Sequence, residues 1–224
     1  ITKKGLGASN HFEACGFIRS KAGVKWPDIQ YHFLPGAITY DGTVAFSDHG
    51  FQVHVGHNKP TSRGSITAIS SDIKVHPKIQ FNYLSTESDR AGFRASVRLT
   101  REIMQQKSMK PFLGHAIQPS ENIQTDDEID EFIRNSVDSA YHPCGTCRMG
   151  EGGNAVVDEN LSVFGIDRLR VIDSSVFPSI PNGNLNAPTM MLAERATDII
   201  KNKVLKPDAK PKVYLNKKWQ TSQR

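Results

Sequence analysis

Apolar positions recur along this 224-residue chain with two different periods. Asp28 to Leu34 (DIQYHFL) and Phe51 to Val55 (FQVHV) crowd β-branched and aromatic residues into short runs, and Gly64 to Ser70 alternates Ile66 and Ile69 imperfectly. Side chains alternate across a strand, and such residues fit a pleated, half-buried surface, so these runs predict strands of an antiparallel sheet. The period then lengthens. Between Thr86 and Lys107 the residues Phe93, Val97 and Met104 fall on one helical face, and Thr86 and Asp89 stand at capping-box spacing. A second helix is predicted from Thr125, where Thr125 and Glu128 form a better capping box and Ile129, Phe132, Ile133 and Val137 follow at helical spacing. Further on, Gly150 to Asn154 reads as a Gly-rich turn before strand-like Ala155 to Val157, and Leu169 to Asp173 (LRVID) as a short buried strand ending in a carboxylate. Pro188 fits the first turn of a last helix. From Met190 to Ile200 its apolar residues cover most of the circumference, which predicts packing on a large body. Strands early and helices between them define a mixed α+β chain.

Composition narrows this picture modestly. At 24.8 kDa, with 38% hydrophobic and 23% charged residues, the chain has an ordinary globular composition sufficient for one or two domains. Three cysteines, Cys15, Cys144 and Cys147, supply no even disulfide framework and point to a reducing compartment. Cys144 and Cys147 form a C-x-x-C, yet Arg148 stands where haem attachment needs His, and no second ligand pair completes a zinc site. A redox dithiol normally opens a helix, whereas Gly145 and Gly150 favour a loop, so packing is the favoured role and redox or metal roles stay open. The net charge of +5 is not drawn into a basic stripe interleaved with aromatics, which argues against nucleic acid as a partner. Lysines gather instead near the end, at 201, 203, 206, 210, 212, 217 and 218, with Pro207 and Pro211 among them. Residues 205–224 are expected to form a basic, exposed arm, with peripheral contact to an acidic membrane surface as the less favoured alternative. No run of eighteen apolar residues exists to span a bilayer.

Candidate chemistry concentrates in two segments. YHPCGTCRMG at 141–150 sets His142 on a loop stiffened by Pro143, with Gly145 permitting close backbone approach. Histidine titrates nearest neutrality of all side chains, so a loop His beside a rigid turn is a candidate general base, although a lone His more often only bonds a neighbouring carbonyl. The second segment, PNGNLNAPTMM at 181–191, crowds Asn182, Gly183, Asn184 and Asn186 just ahead of a helix start. Unpaired N–H groups and partial positive charge there suit an electron-rich ligand edge or a developing anion.

The His-Pro-x-Gly-Thr loop at 142–146 and the Asp-x-Ser then Gly-Asn-Leu-Asn-Ala-Pro-Thr segment at 169–189 resemble, in order and spacing, the glucose-methanol-choline (GMC) oxidoreductases. ASNHFEACGFIRS (8–20), IQYHFLPGA (29–37), HGFQVHVG (49–56), HPKIQFNYLSTESD (76–89) and LTREIM (99–104) extend the likeness to about Lys203, within the choline-oxidising branch. The resemblance implies a GMC-type substrate domain, with an antiparallel sheet and flanking helices, over 1–138. Over 139–204 it implies a catalytic loop plus the strand and helix that complete an FAD-binding domain. It further implies His142 as acceptor of the substrate hydroxyl proton and Asn184, where many members carry a second His, as the amide orienting the alcohol oxygen. Asp173 and Ser174 match contacts to the ribityl and pyrophosphate part of FAD, and Leu185 and Asn186 contacts near its ring. Glu13, less firmly aligned, matches a carboxylate facing the quaternary ammonium of choline, with Trp26, Tyr31 and Phe33 as candidate ring faces. Asp173 capping a turn, Asn186 satisfying backbone groups and Glu13 in a structural role are the open alternatives.

Family members are more than twice this long, and their Gly-x-Gly-x-x-Gly turn has no counterpart here, GLGAS at 5–9 reading as an ordinary loop. The chain is therefore expected to be the C-terminal portion of a longer polypeptide whose FAD-binding part lies upstream. Oxidation of choline to betaine aldehyde, electron transfer to a respiratory-chain acceptor and a mitochondrial location are what the resemblance implies. Another small alcohol as substrate, or a catalytically silent paralogue, are the alternatives.

Overall fold

The computed structural model describes residue 4 and residues 8–37, 48–203 and 213–223. The fold is α+β and divides into two compact units: Ile1–His57 with Ser88–Val137 and Leu215–Arg224, and Asn58–Glu87 with Asp138–Tyr214. Segment 58–87, which the sequence reading grouped with the first region, is thus part of the second unit.

In the first unit β1 (Ala14–Ile18), β2 (Ile29–Leu34) and β3 (Gln52–His57) form an antiparallel sheet in the order β1-β2-β3. Its register sets Ile29 beside Ile18 and His57, and Tyr31 beside Gly16 and Val55. Alternation sends Ile29 and Tyr31 to one face, where they pack with Leu99 and, at the margin, Ile18, Val53, Val55 and Ile103. A fully buried Ile or Leu contributes roughly 1.5–3 kcal/mol, so this cluster holds the sheet to its helix. The β1 segment ACGFI lacks the run of β-branched residues that announces a strand. Pairing with β2 makes it one.

Helix α1 (Glu87–Met104) corrects the predicted buried face: Val97 is buried, but Phe93 and Met104 are only half-buried. The covered row is Asp89, Gly92, Ser96 and Leu99. A Cβ on Gly92 would lie 2.8 Å from His57 Cδ2, so the absent side chain lets helix and ring meet. Ser96 Oγ donates to the Gly92 carbonyl at 2.9 Å, and the Tyr31 hydroxyl donates to the Ser96 carbonyl at 3.4 Å. Small and polar residues here follow from close approach, which a pattern search for large apolar residues does not detect. Helix α2 (Asp126–Ser136) opens on the expected capping box. Glu128 N donates to Thr125 Oγ1 at 3.3 Å, Thr125 N donates to Glu128 Oε2 at 2.8 Å, and Ile129 and Ile133 are buried. Arg94 of α1 reaches Asp130 of α2 at 2.7 Å.

In the basic, exposed arm expected over 205–224, Lys217 and Lys218 are exposed. Residues 204–212, with Lys206, Lys210 and Lys212, lie outside the described residues. Residues 216–223 form a turn lying against the β1–β2 connection, where Gly23 N donates to the Trp219 carbonyl at 2.8 Å.

In the second unit β4 (Ser65–Thr67) pairs with β5 (Lys78–Gln80), so the strand expected over 64–70 is only three residues long. A Cβ on Gly64 would stand 2.1 Å from the Gln80 carbonyl oxygen, leaving no room for a side chain. Helix α3 (Asn186–Ile200) buries Leu192 and Ala196 against Val157, Leu161 and Val176. Two expectations change here. Leu169–Asp173 is not a buried strand: Leu169 and Arg170 are exposed, and only Arg170 bridges, to Ser162. Left-handed backbone at Leu161, Gly165 and Arg168 folds the chain too tightly for a longer ladder. Nor is α3 covered all round, since Met190 and Met191 are 56% and 61% exposed.

Candidate active site

The second unit brings its two polar segments together. His142 Nε2 lies 2.7 Å from Asn184 Nδ2, across a sequence separation of 42 residues. His142 is half-buried and Asn184 exposed, so the pair stands at the surface of this unit. An amide N–H only donates, so with this placement His142 Nε2 is the acceptor and its lone pair is directed at Asn184. An alcohol oxygen that displaced this direct contact and lay between the two atoms would donate to Nε2 and accept from Nδ2.

Local backbone fixes each partner. Tyr141, just before His142, has φ +57°, and Gly145 has φ +94°. Asn182 and Gly183, just before Asn184, have φ +71° and +139°. Left-handed residues of this kind turn the chain sharply and are held only where surrounding bonds over-determine them. The anchors are explicit. Gly145 N and Cys147 N both donate to the Ser175 carbonyl at 3.0 Å, and Met149 N donates to the Val176 carbonyl at 2.7 Å.

Those carbonyls belong to a 3₁₀ turn, Ser174–Val176, which Asp173 caps by accepting from Ser175 N at 2.8 Å. Asp173, expected at the flavin, therefore has a geometric role as well: it shapes the turn that holds the His142 loop. Its side chain is exposed and Ser174 is half-buried. Val176 is fully buried in the core with Leu192 of α3, so loop, turn and helix are one packed body. The turn-capping alternative for Asp173, signalled by the Asp-Ser-Ser start of an Asx-type turn, is thus present in the structure, while the strand expected to end there is not.

Leu185 is buried and occupies the position before α3, its carbonyl accepting from Thr189 N at 2.9 Å and Thr189 Oγ1 at 2.7 Å. Asn186 is the first residue of the helix. No side chain caps this N-terminus and no acidic residue stands in its first turn. The end of a fifteen-residue helix left in this form carries partial positive charge suited to an electron-rich ring edge, which fits the chemistry of a flavin.

Cys144 and Cys147 are free thiols, and no group of three or more metal-ligating side chains occurs among the described residues. Burial pushes the Cys144 thiol up, against a smaller opposing pull from Arg63. A raised thiol is a poor thiolate source, which agrees with packing as its role.

Glu13 belongs to the first unit, where it precedes β1, is exposed and accepts the Ser9 hydroxyl. Of the ring candidates, Tyr31 is a core residue, Phe33 stacks at 5.2 Å on Phe51, and Trp26 lies under Lys25 at 5.4 Å. The sequence reading passed over a cross-strand row on the opposite sheet face, Cys15 beside His32 beside His54, with Phe12 edge-on to His32 at 5.7 Å. Alternate positions in the HFL and QVHV runs were the available signal. Burial, then the neighbouring His32, lowers the His54 imidazole below its ordinary value.

A paired loop His and Asn, seated on an Asp-capped turn beside an open helix start, agrees with what the chain matches: residues 60–193 fit the GMC oxidoreductase family model, and the chain belongs to that family. It is 58% identical over its whole length to the oxygen-dependent choline dehydrogenase of Vibrio vulnificus and 53% identical to that of Brucella ovis. The chain spans about 40% of the length of these relatives. Among solved structures it resembles pyridoxine 4-oxidase from Mesorbium loti, with TM-score 0.79, 28% identity and coverage of 88% of this chain and 39% of that one. Formate oxidase from Aspergillus oryzae, described for the modification of its FAD, matches with TM-score 0.73, 26% identity and coverage of 88% and 33%. The choline dehydrogenase relatives are bacterial, so the mitochondrial location expected from the resemblance finds no support. No helix among the described residues is long and apolar enough to cross a membrane.

Proposed function

We propose that this chain carries the proton-accepting half of an FAD-dependent choline dehydrogenase active site, in which choline is oxidised to betaine aldehyde. The observation that carries the reading is the 2.7 Å pairing of His142 Nε2 with Asn184 Nδ2. Relatives named as choline dehydrogenases, matching the chain from end to end, support the substrate. A bound flavin would supply the hydride acceptor. The residues of this chain do the rest. His142 takes the hydroxyl proton at Nε2 as the carbon loses hydride, a contribution of about 10²- to 10⁴-fold in rate for a positioned base. Asn184, which cannot titrate near neutrality, donates Nδ2–H to the alcohol oxygen and keeps it in line with the base. Leu185 and Asn186, at the α3 N-terminus, would lie near the flavin ring, while Asp173 and Ser174 would hold its ribityl and pyrophosphate part. Glu13 offers a carboxylate to the quaternary ammonium, which has no hydrogen to donate and must be recognised by charge and ring faces.

For the final electron acceptor, the relatives being oxygen-dependent choline dehydrogenases supports oxygen rather than the respiratory-chain acceptor that the family resemblance suggested. Oxygen uptake against reduction of an added quinone separates the two. The central test is steady-state turnover of the intact enzyme with choline and with uncharged alcohols of similar size. Preference for choline by at least tenfold in kcat/KM, lost in Glu13→Gln, is the expected result. Equal turnover of both classes refutes choline as the substrate, and a His142→Ala enzyme with unchanged hydride transfer refutes the base.

A further inference from the structure

We propose that the C-terminal segment 213–223 is a clasp that keeps strand β1 on its sheet. Among the described residues strand β1 lies at the end of the order β1-β2-β3, with β2 as its strand partner. A strand of five residues that includes Ala14 and Gly16 and packs Ile18 at the core has few side-chain contacts of its own to resist fraying. The connection from β1 to β2 is where the C-terminal segment arrives. Gly23 N donates to the Trp219 carbonyl at 2.8 Å, Arg19 Nη2 to the Ser222 carbonyl at 3.2 Å, and Gln223 Nε2 to the Arg19 and Ser20 carbonyls at 2.7 and 3.3 Å.

These bonds join positions about 200 residues apart in sequence and run in both directions, with Arg19 giving one and receiving another. Arg19 is 8% exposed, a rare state for an arginine, and its Nε has no partner among the described residues. Removing the Ser222 carbonyl would take away a hydrogen-bond acceptor of this buried guanidinium, which makes the clasp costly to open. On its other side the same connection is held by Asp28, which accepts from Ser20 N at 2.7 Å and Ser20 Oγ at 2.6 Å. The segment keeps its own shape through Asn216, whose Oδ1 accepts from Lys218 N at 2.9 Å and whose carbonyl accepts from Trp219 N at 3.1 Å. It is a folded element docking on a hairpin end, and the strand it secures leads directly from Glu13.

The inference stands apart from the proposed chemistry, and hydrogen exchange tests it without reference to turnover. The intact enzyme would be compared with a form ending at Lys212 and with Arg19→Met in the full chain, the latter keeping an aliphatic stem and losing the donor. Amides of 14–23 are expected to exchange roughly ten- to a hundredfold faster in both variants, with α2 unchanged. Unchanged protection of 14–23 in either variant overturns the proposal. Should the truncated form fail to fold, the Arg19→Met result decides, and restoration of protection in trans by a peptide of residues 213–224 is the expected outcome wherever the truncated form does fold.

Discussion

Gly92→Ala sets two effects of opposite sign against each other. In a helix interior, Ala is favoured over Gly by about 1 kcal/mol, so at an open position the substitution would stabilise α1. At position 92 the new Cβ would stand 2.8 Å from His57 Cδ2 and 3.1 Å from its Nε2. Carbon atoms prefer about 3.5–4.0 Å, so the contact is short by roughly an ångström. His57 is poorly placed to yield: its side chain is 10% exposed and its Nε2 is 3.5 Å from Asp28 Oδ2. Overpacking of this kind costs about 1–3 kcal/mol, which outweighs the helix gain and leaves a net loss of about 1 kcal/mol. Thermal unfolding of the intact enzyme, more than twice as long as this chain, should show a midpoint lower by about 1 °C. In a His57→Ala background the ring is gone, and adding Gly92→Ala should then raise the midpoint. If Gly92→Ala stabilised the parent protein, or if the sign failed to reverse in that background, the close-approach explanation of the α1 face would be wrong.

Three further outcomes follow from the geometry. Gly145→Ala places a Cβ 3.4 Å from the Phe177 carbonyl oxygen at φ +94°, a strain of about 1–2 kcal/mol. The three backbone bonds from Gly145, Cys147 and Met149 hold that end of the loop, so the strain should reach His142 and lower kcat/KM roughly ten- to a hundredfold in an alcohol-oxidation assay, with folding retained. Thr125→Ala removes the side-chain half of the α2 capping box and should cost about 1 kcal/mol, read in urea unfolding and in faster exchange of the Glu128 amide. Burial raises the Asp28 carboxyl, but the bonds from His57 and Ser20 more than offset this and hold it below its ordinary 3.8. A depressed carboxyl stabilises the fold above its unfolded value and loses that contribution as pH falls through the folded one. Asp28→Asn should therefore lower stability by about 1–2 kcal/mol near neutral pH, the gap from the parent closing below about pH 4; a gap constant down to pH 2 would contradict this.

The sequence by itself determined what depends on near neighbours or on a periodic face. The Thr125–Glu128 capping box, the β2 and β3 runs and the α3 start are of this kind, because caps, pleats and helix starts are built within a few residues. The two polar segments bearing His142 and Asn184 were legible too, each as a loop with distinctive residues, although nothing in their separate spacing shows that they meet. Tertiary structure decided the rest. It made β1 a strand by giving ACGFI a partner, and covered α1 along Gly92 and Ser96 because small residues admit His57 and Tyr31. It turned LRVID from a strand into the approach to an Asp173-capped turn, since left-handed residues at 161, 165 and 168 curl the preceding chain. It also folded the basic tail back onto Arg19. The β1 pairing, the α1 face and the Arg19 contacts depend on groups many residues apart, and the free energy of such contacts is set by shape and partner rather than by the local order of residues.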